Sequence, residues 1–403
     1  MAVNDRWKGP MVLHPNNQLL KSTLESIALL DGRFEQLRLV NVPASGPKRG
    51  CFSLVFKAWD TVEHKQVALK FYDIDPSNLS DQYRIACFKR EHEILQQILG
   101  VERCLQLASS MSRFELRMPL DPAAGTFFVV HCEYFAIDWL SDQIDGYFLN
   151  QQNVDAIEKL RLFTEIMLSV EALHNHGVFH RDLKADNLRS HLTDVRRLVV
   201  AIDLGTAARF DSLSVAPNYG SNVGALAYAA PEAMSSLAGH RPIARLTDAY
   251  ALGCLLFELF HKDHYYVATR IRNPNLDGRI VAMQQHLTGA HTEPQRVVAW
   301  DAALNKLATG IASPTVDSIG SSCPPGICQI IDEVVSGLTR FDYRQRMTIA
   351  KARERIQVSL RVLLNQLEYA AQLKERKRRR QNRLEKQSKK QQRLAIANQA
   401  KKS

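Results

Sequence analysis

His180-Arg181-Asp182-Leu183-Lys184-Ala185-Asp186-Asn187 places a carboxylate, a cation and a carboxamide within six residues, from Asp182 to Asn187. A helix would spread these side chains around its surface, whereas a loop can turn all three toward one point. Transfer of a phosphoryl group from a nucleotide needs such a set. Asp182 can accept a hydroxyl proton, Lys184 can offset charge on the transferred group, and Asn187 can hold a magnesium ion.

Outward from this string, Asp203-Leu204-Gly205 follows Asn187 by sixteen residues and closes the apolar run Leu198-Val199-Val200-Ala201-Ile202. The run reads as a buried strand. An Asp at a strand end followed by Gly suits a metal ligand, because the strand fixes the carboxylate and Gly permits a sharp turn. Taken alone, an ordinary strand-turn is the simpler reading. Upstream, Gln66-Val67-Ala68-Leu69-Lys70-Phe71-Tyr72 is strand-like with one lysine inside it. Such a lysine needs a partner. The next helical stretch, Phe88 to Leu95, offers Glu91 and Glu93, which are two apart and face different directions.

In this order the strings resemble the protein kinase superfamily, in its serine/threonine form. The opening string resembles the catalytic loop, Asp203-Leu204-Gly205 resembles the Asp-Phe-Gly motif with Leu204 for Phe, and Val67 to Lys70 resembles the Val-Ala-Ile-Lys strand. The resemblance implies catalytic roles for Asp182, Lys184, Lys70 and Glu91, with Glu93 the alternative partner of Lys70, and metal binding by Asn187 and Asp203. Gly50 is the one retained glycine of a lid over the nucleotide; Lys48 and Ser53 stand at the other glycine positions. Phe128 to Phe135 resembles the strand leading into the interlobe hinge. Glu133 and Phe135 would then offer backbone groups to adenine, Cys132 would line the back of the pocket, and Val55 and Ala68 would cover the ring. Arg189 replaces an aliphatic floor residue, and Ala225 replaces a Thr that normally bonds the catalytic Asp and Lys. Ala230-Pro231-Glu232, Asp248 and Arg346 match later markers, which predicts a Glu232–Arg346 ion pair and an Asp248 brace on the catalytic loop.

The implied fold is α+β and bilobal. Residues 1–32 form an N-terminal extension and 33–365 a kinase domain, with a β-rich N-lobe at 33–133 and a helical C-lobe at 134–365. Residues 366–403 form a basic helical tail. The implied reaction moves the γ-phosphoryl group of ATP, with Mg2+, to Ser or Thr hydroxyls of protein substrates. Arg181 beside Asp182 further suggests autophosphorylation at Ser212, Ser214, Tyr219 or Ser221. The rival reading is a pseudokinase serving as a nucleotide-binding or scaffold protein. Its support is the reduced glycine loop, Arg189 and Ala225.

Composition bounds these readings. With 403 residues and 45% apolar content, the chain can bury a full core. No apolar signal segment opens it, and the longest compact apolar stretch, near Leu252 to Phe260, is short for a membrane span. The expected location is intracellular, in the cytoplasm, with the nucleus an alternative. Seven scattered cysteines suggest reduced, buried thiols, and Cys323 with Cys328 lacks a second pair to complete a metal site. Residues 262–328 read as a family-specific insertion or a partner surface. The net charge of +10 is concentrated in the tail: residues 374–403 hold thirteen Lys and Arg against Glu375 and Glu385, leaving the rest near neutral. A polyanionic partner (nucleic acid, acidic protein or anionic lipid) is the functional expectation for that tail, and a solvated helix is the plain one. Leu360, Leu363, Leu364, Leu367 and Ala371 have helical spacing suited to packing on the body.

Overall fold

A computed structural model describes residues 13–42, 53–121, 125–140, 142–192, 197–209 and 224–400. The first lobe contains helix α1 (Pro15–Ser26), strands β1 (Phe34–Leu39), β2 (Ser53–Asp60) and β3 (Lys65–Tyr72), helix α2 (Gln82–Gln97), and strands β4 (Leu107–Asp121) and β5 (Thr126–Asp138). The strands form one antiparallel sheet in the order β1-β2-β3-β5-β4.

Alternation divides this sheet into two faces. Leu54, Phe56, Val67, Leu69 and Phe71 point to the outer face and pack with Leu20 and Leu24 of α1. The intervening Val55, Ala68 and Lys70 point the other way, and the first two join the core that continues into the second lobe. Helix α1 comes from the stretch read as an extension. Pro15 starts it, and buried Asn17 ties it to the sheet by donating to Asp73 Oδ1 at 2.7 Å.

The second lobe is built on two largely buried helices, α3 (Ala156–Asn175) and α4 (Arg241–Phe260). Between them in sequence, strands β6 (Leu188–Leu192) and β7 (Arg197–Ala201) form a hairpin below the cleft. The apolar stretch at Leu252 to Phe260 is the buried end of α4, and among the described residues no helix is long and apolar enough to cross a membrane.

The 262–328 region is a packed part of this lobe. Helices α5 (Tyr265–Arg272), α6 (Leu276–Gln285) and α7 (Glu293–Leu307) occupy about half of it, and a separate core gathers Ile280, Met283 and the fully buried Trp300 with Phe341 and Tyr343. Its far end is tied back to α3, since buried Lys159 donates to Ser322 Oγ at 2.9 Å and Asn150 Oδ1 at 3.1 Å. Helix α8 (Cys328–Leu338) then leads to α9 (Ile349–Ala400). Cys323 and Cys328 are free thiols, and Cys328 Sγ donates to the Cys323 carbonyl at 3.4 Å.

Helix α9 packs on α3 and α8 only over its first turns, through Ile349, Ala352, Ile356 and Leu363, with Arg353 ion-paired to Glu171 at 3.1 Å. The expected apolar stripe is therefore only half used. Leu364, Leu367 and Ala371 are exposed, because the helix has already left the body.

Candidate active site

The upper half of the cleft is a buried ion pair. Asp81 caps α2 by accepting from the Tyr83 and Arg84 amides at 3.0 and 3.3 Å. The apolar face of α2, with Cys87, Phe88, Ile94 and Leu95, turns Glu91 inward beneath the sheet. Lys70 Nζ donates to both Glu91 oxygens at 2.7 and 2.6 Å and reaches Asp203 Oδ1 at 3.5 Å. Glu93 faces outward and lies 3.9 Å from Arg209, so the geometry selects Glu91 as the partner of Lys70. Burial alone would push Lys70 down, but Glu91 and Asp203 outweigh it and raise its pKa. Burial resists charge on Asp203 too, yet Lys70, His180 and Lys184 hold its carboxyl below the usual range. Both shifts favour the charged forms of the lysine and the carboxylate.

Asp203 stands at the end of β7 in a left-handed conformation, φ 64°. That turn buries Leu204 and aims its amide at Glu91 Oε1, 3.2 Å away. Leu204 thus fills the Phe position while its backbone links the loop to the ion pair.

The lower half is the catalytic loop, braced as expected from beneath. Buried Asp248 of α4 accepts from the His180 and Arg181 amides at 2.9 and 2.8 Å, and its Oδ2 also meets His174 Nε2 at 2.9 Å. Burial opposes its charge, but these bonds keep its carboxyl below the ordinary range. Asn187 Nδ2 donates to Asp182 O at 2.9 Å and Oδ2 at 3.0 Å. Lys184 Nζ sits 3.4 Å from the same oxygen. The other oxygen, Oδ1, accepts the Ala225 amide at 2.6 Å.

That last contact refines the reading of Ala225. A threonine hydroxyl is absent, and a backbone N–H docks the segment on Asp182 instead. Gly224 makes this approach possible. Its φ is +89°, and a Cβ there would lie 2.5 Å from the Arg181 carbonyl. Gly224 is a positioning residue that motif matching passes over; its signal in the sequence is only a glycine directly before Ala225.

A divalent cation fits the same region. Asn187 spends its amide nitrogen on Asp182, which leaves its carboxamide oxygen as a donor, and the Asp203 carboxyl is partly open to the cleft. Among the described residues no three His, Cys, Asp or Glu side chains gather as a self-sufficient cage. Mg2+ needs none, since it binds through one or two protein oxygens together with substrate phosphates.

The adenine end requires a correction. Glu133 and Phe135 do not stand at the crossing between lobes. Strand β5 runs on to Asp138, with Phe135 paired to Lys70, Ala136 to Leu69 and Ile137 to Ala68. Phe135 is buried against Phe88 and His92, and Glu133 pairs across to Arg113 of the edge strand. Their backbone groups lie within the ladder, and the chain passes between lobes only after Asp138, through Trp139 and Leu140. Cys132 belongs to the outer core with Leu54 and Phe56. Val55 and Ala68 do face the cleft side. Arg189 turns its guanidinium to the Asp186 and Leu188 carbonyls, both at 2.8 Å. Gly50, along with Lys48, lies outside the described residues.

Below the cleft, Arg346 and Glu232 form a buried two-pronged pair, Nη2 to Oε2 at 2.8 Å, as expected. Arg181 Nε donates to the Thr206 carbonyl at 2.7 Å, and its buried Nη2 has no hydrogen-bond partner among the described residues. Burial lowers the pKa of Arg181, and repulsion by Arg90 adds to that; burial and then Arg209 do the same to Arg90.

Charges held in this way suit phosphoryl transfer, which depends almost wholly on positioning and electrostatics. The class they define is a bilobal phosphotransferase fold. The likeness is closer than class. A family model described as protein kinase domain matches residues 49–356, and the chain belongs to that family. Serine/threonine-protein kinase ksp1 of Schizosaccharomyces pombe is 32% identical over 188 residues, 46% of this chain and 38% of ksp1. Serine/threonine-protein kinase PSK2 of Saccharomyces cerevisiae is 34% identical over 137 residues, 34% of this chain and 11% of that protein. The matched stretches therefore span well under half the length of these curated relatives.

Proposed function

We propose that the chain is a protein serine/threonine kinase that transfers the γ-phosphoryl group of ATP, with Mg2+, to hydroxyls of protein substrates. The observation that carries this reading is the engaged state of the cleft. Lys70 is clamped by Glu91 and close to Asp203, while Asp182 is held by Asn187, Lys184 and the Ala225 amide. Asp182 orients the acceptor hydroxyl and takes its proton. Lys184 offsets charge on the group in transit, and Lys70 steadies the nucleotide phosphates. Asn187 and Asp203 would hold Mg2+, which supplies charge neutralisation to the phosphates when bound. Lys184 after Asp-Leu and the serine/threonine kinases among the relatives support the acceptor type.

The segment holding Ser212, Ser214, Tyr219 and Ser221 lies outside the described residues. The converging charges of Arg181, Arg90 and Arg209 support phosphorylation of that segment as a control. The test incubates purified protein with radiolabelled ATP, Mg2+ and a mixed protein substrate, followed by phosphoamino-acid analysis and mass spectrometry. Phosphoserine or phosphothreonine on the substrate is expected, with at least one of the four segment sites labelled. Nucleotide binding without transfer would establish the pseudokinase reading in its place.

A further inference from the structure

Helix α9 is a second feature that the cleft does not explain. From Leu364 to Lys389 every side chain is exposed except that of Glu375, which is half-buried. Eight Lys and Arg lie between residues 376 and 389, against Glu385 alone. Among the described residues, Arg378 and Arg379 bond to Glu375, each at 2.9 Å, while Arg376, Arg383 and Lys386 enter no ion pair.

The cations are not spread evenly. Arg376, Arg379, Arg383 and Lys386 follow at intervals of three, four and three, which is one face of a helix. The sequence keeps this spacing at Lys390 and Arg393. The opposite face holds Lys377, Gln381, Leu384 and Ser388, a single cation against the four of the stripe. At about 1.5 Å of rise per residue the stripe sets a positive charge roughly every 5 Å along the helix axis.

The chemistry of this helix selects among polyanions. An interfacial membrane helix needs an apolar face opposite its cations. Here the only large apolar side chain between Lys374 and Lys389 is Leu384. Single-stranded nucleic acid is held by aromatic stacking, and no aromatic residue follows Tyr369. The deep, narrow major groove of an A-form duplex is closed to a helix. The B-form major groove, about 12 Å wide, admits one. Because the helix stands clear of the body, it can reach such a groove without moving either lobe.

We propose that the basic stripe of α9 docks the protein on the phosphate backbone of duplex DNA, with the face of Arg376, Arg379, Arg383 and Lys386 turned to the phosphates and the cleft left open. This does not depend on the transfer reaction. The test uses full-length protein and a mixed-sequence DNA duplex, with fluorescence anisotropy over a salt series. Two triple variants of equal net charge are compared: Arg376→Gln/Arg383→Gln/Lys386→Gln on the stripe, and Lys377→Gln/Arg378→Gln/Lys389→Gln off it. Glutamine is a good helix former, so both keep the helix.

Each lost phosphate contact removes about 0.9 from the slope of log K against log salt. The stripe variant should lose about 2.7 in slope and on the order of a hundredfold in affinity near physiological salt. The off-stripe variant should lose less than half of that slope. Equal losses in both variants overturn the proposal. So does salt-insensitive or undetectable binding to DNA, or equal or tighter binding to an RNA duplex, to polyglutamate or to phosphatidylserine vesicles.

Discussion

The cleft and the exposed part of α9 use the same kinds of charged side chain under opposite conditions. In the cleft the reacting and bracing charges are paired: Lys70 lies between Glu91 and Asp203, Asp248 holds two backbone amides, and Arg346 is buried with Glu232. Along α9, Arg376, Arg383 and Lys386 face solvent. An unpaired charge in the first setting costs several kcal/mol. In the second, charges are screened within about 8 Å and count collectively. Substitutions in the cleft should therefore be read residue by residue, and those on the tail by number and face.

The largest expected effect breaks a buried pair. Glu232→Ala strands Arg346 in the core and should cost about 3–5 kcal/mol in urea unfolding. Lys70→Met should lose transfer and also destabilise the N-lobe, since it leaves Glu91 buried beside Asp203. The double variant Lys70→Met/Glu91→Leu should recover most of that stability and none of the activity. A Lys70→Met protein as stable as wild type would dissolve the contrast between the two regions.

A middle-sized effect belongs to a single backbone group. Ala225 has φ −74°, a value proline adopts, and Ala225→Pro removes the amide donor and sets the ring Cδ against Asp182 Oδ1, so the carboxylate must shift as well as lose its bond. A hydrogen bond to a charged group contributes about 1.5–3 kcal/mol, so kcat should fall by at least about tenfold, with KM for ATP little changed. An equal loss through KM for ATP would place the contact on the nucleotide side. The smallest effect is on the tail. The stripe variant Arg376→Gln/Arg383→Gln/Lys386→Gln should stay within about 0.5 kcal/mol of wild type in stability and phosphorylate a short peptide at the wild-type rate. A drop in peptide phosphorylation would show that the tail couples to the cleft.

The reacting groups were legible because their chemistry restricts residue type and order. Asp182, Lys184, Asn187 and Asp203 are brought together at the mouth of one cleft, and the strand lysine finds the inward glutamate of α2. The adenine end was not legible in the same way. Period-two alternation tells which face a strand residue occupies and does not tell where the strand stops, so Glu133 and Phe135 fell inside β5. Helix α1 escaped notice because its buried anchors are few, chiefly Leu20 and Leu24 in an otherwise polar stretch. The Ala225 amide could not be seen at all, since every residue but proline carries one. The tail's charge was plain in the composition, whereas its stripe has meaning only once α9 is known to be one continuous helix.

The most direct test of the catalytic assignment compares Asp182→Asn with wild type, measuring both Mg-ATP binding and labelling of a Ser/Thr substrate. In the proposed reaction Asp182 faces the acceptor hydroxyl, while Lys70, Glu91 and Asp203 form the nucleotide clamp. Binding should therefore persist while transfer falls by about a hundredfold or more. Wild-type labelling by Asp182→Asn would contradict the assignment.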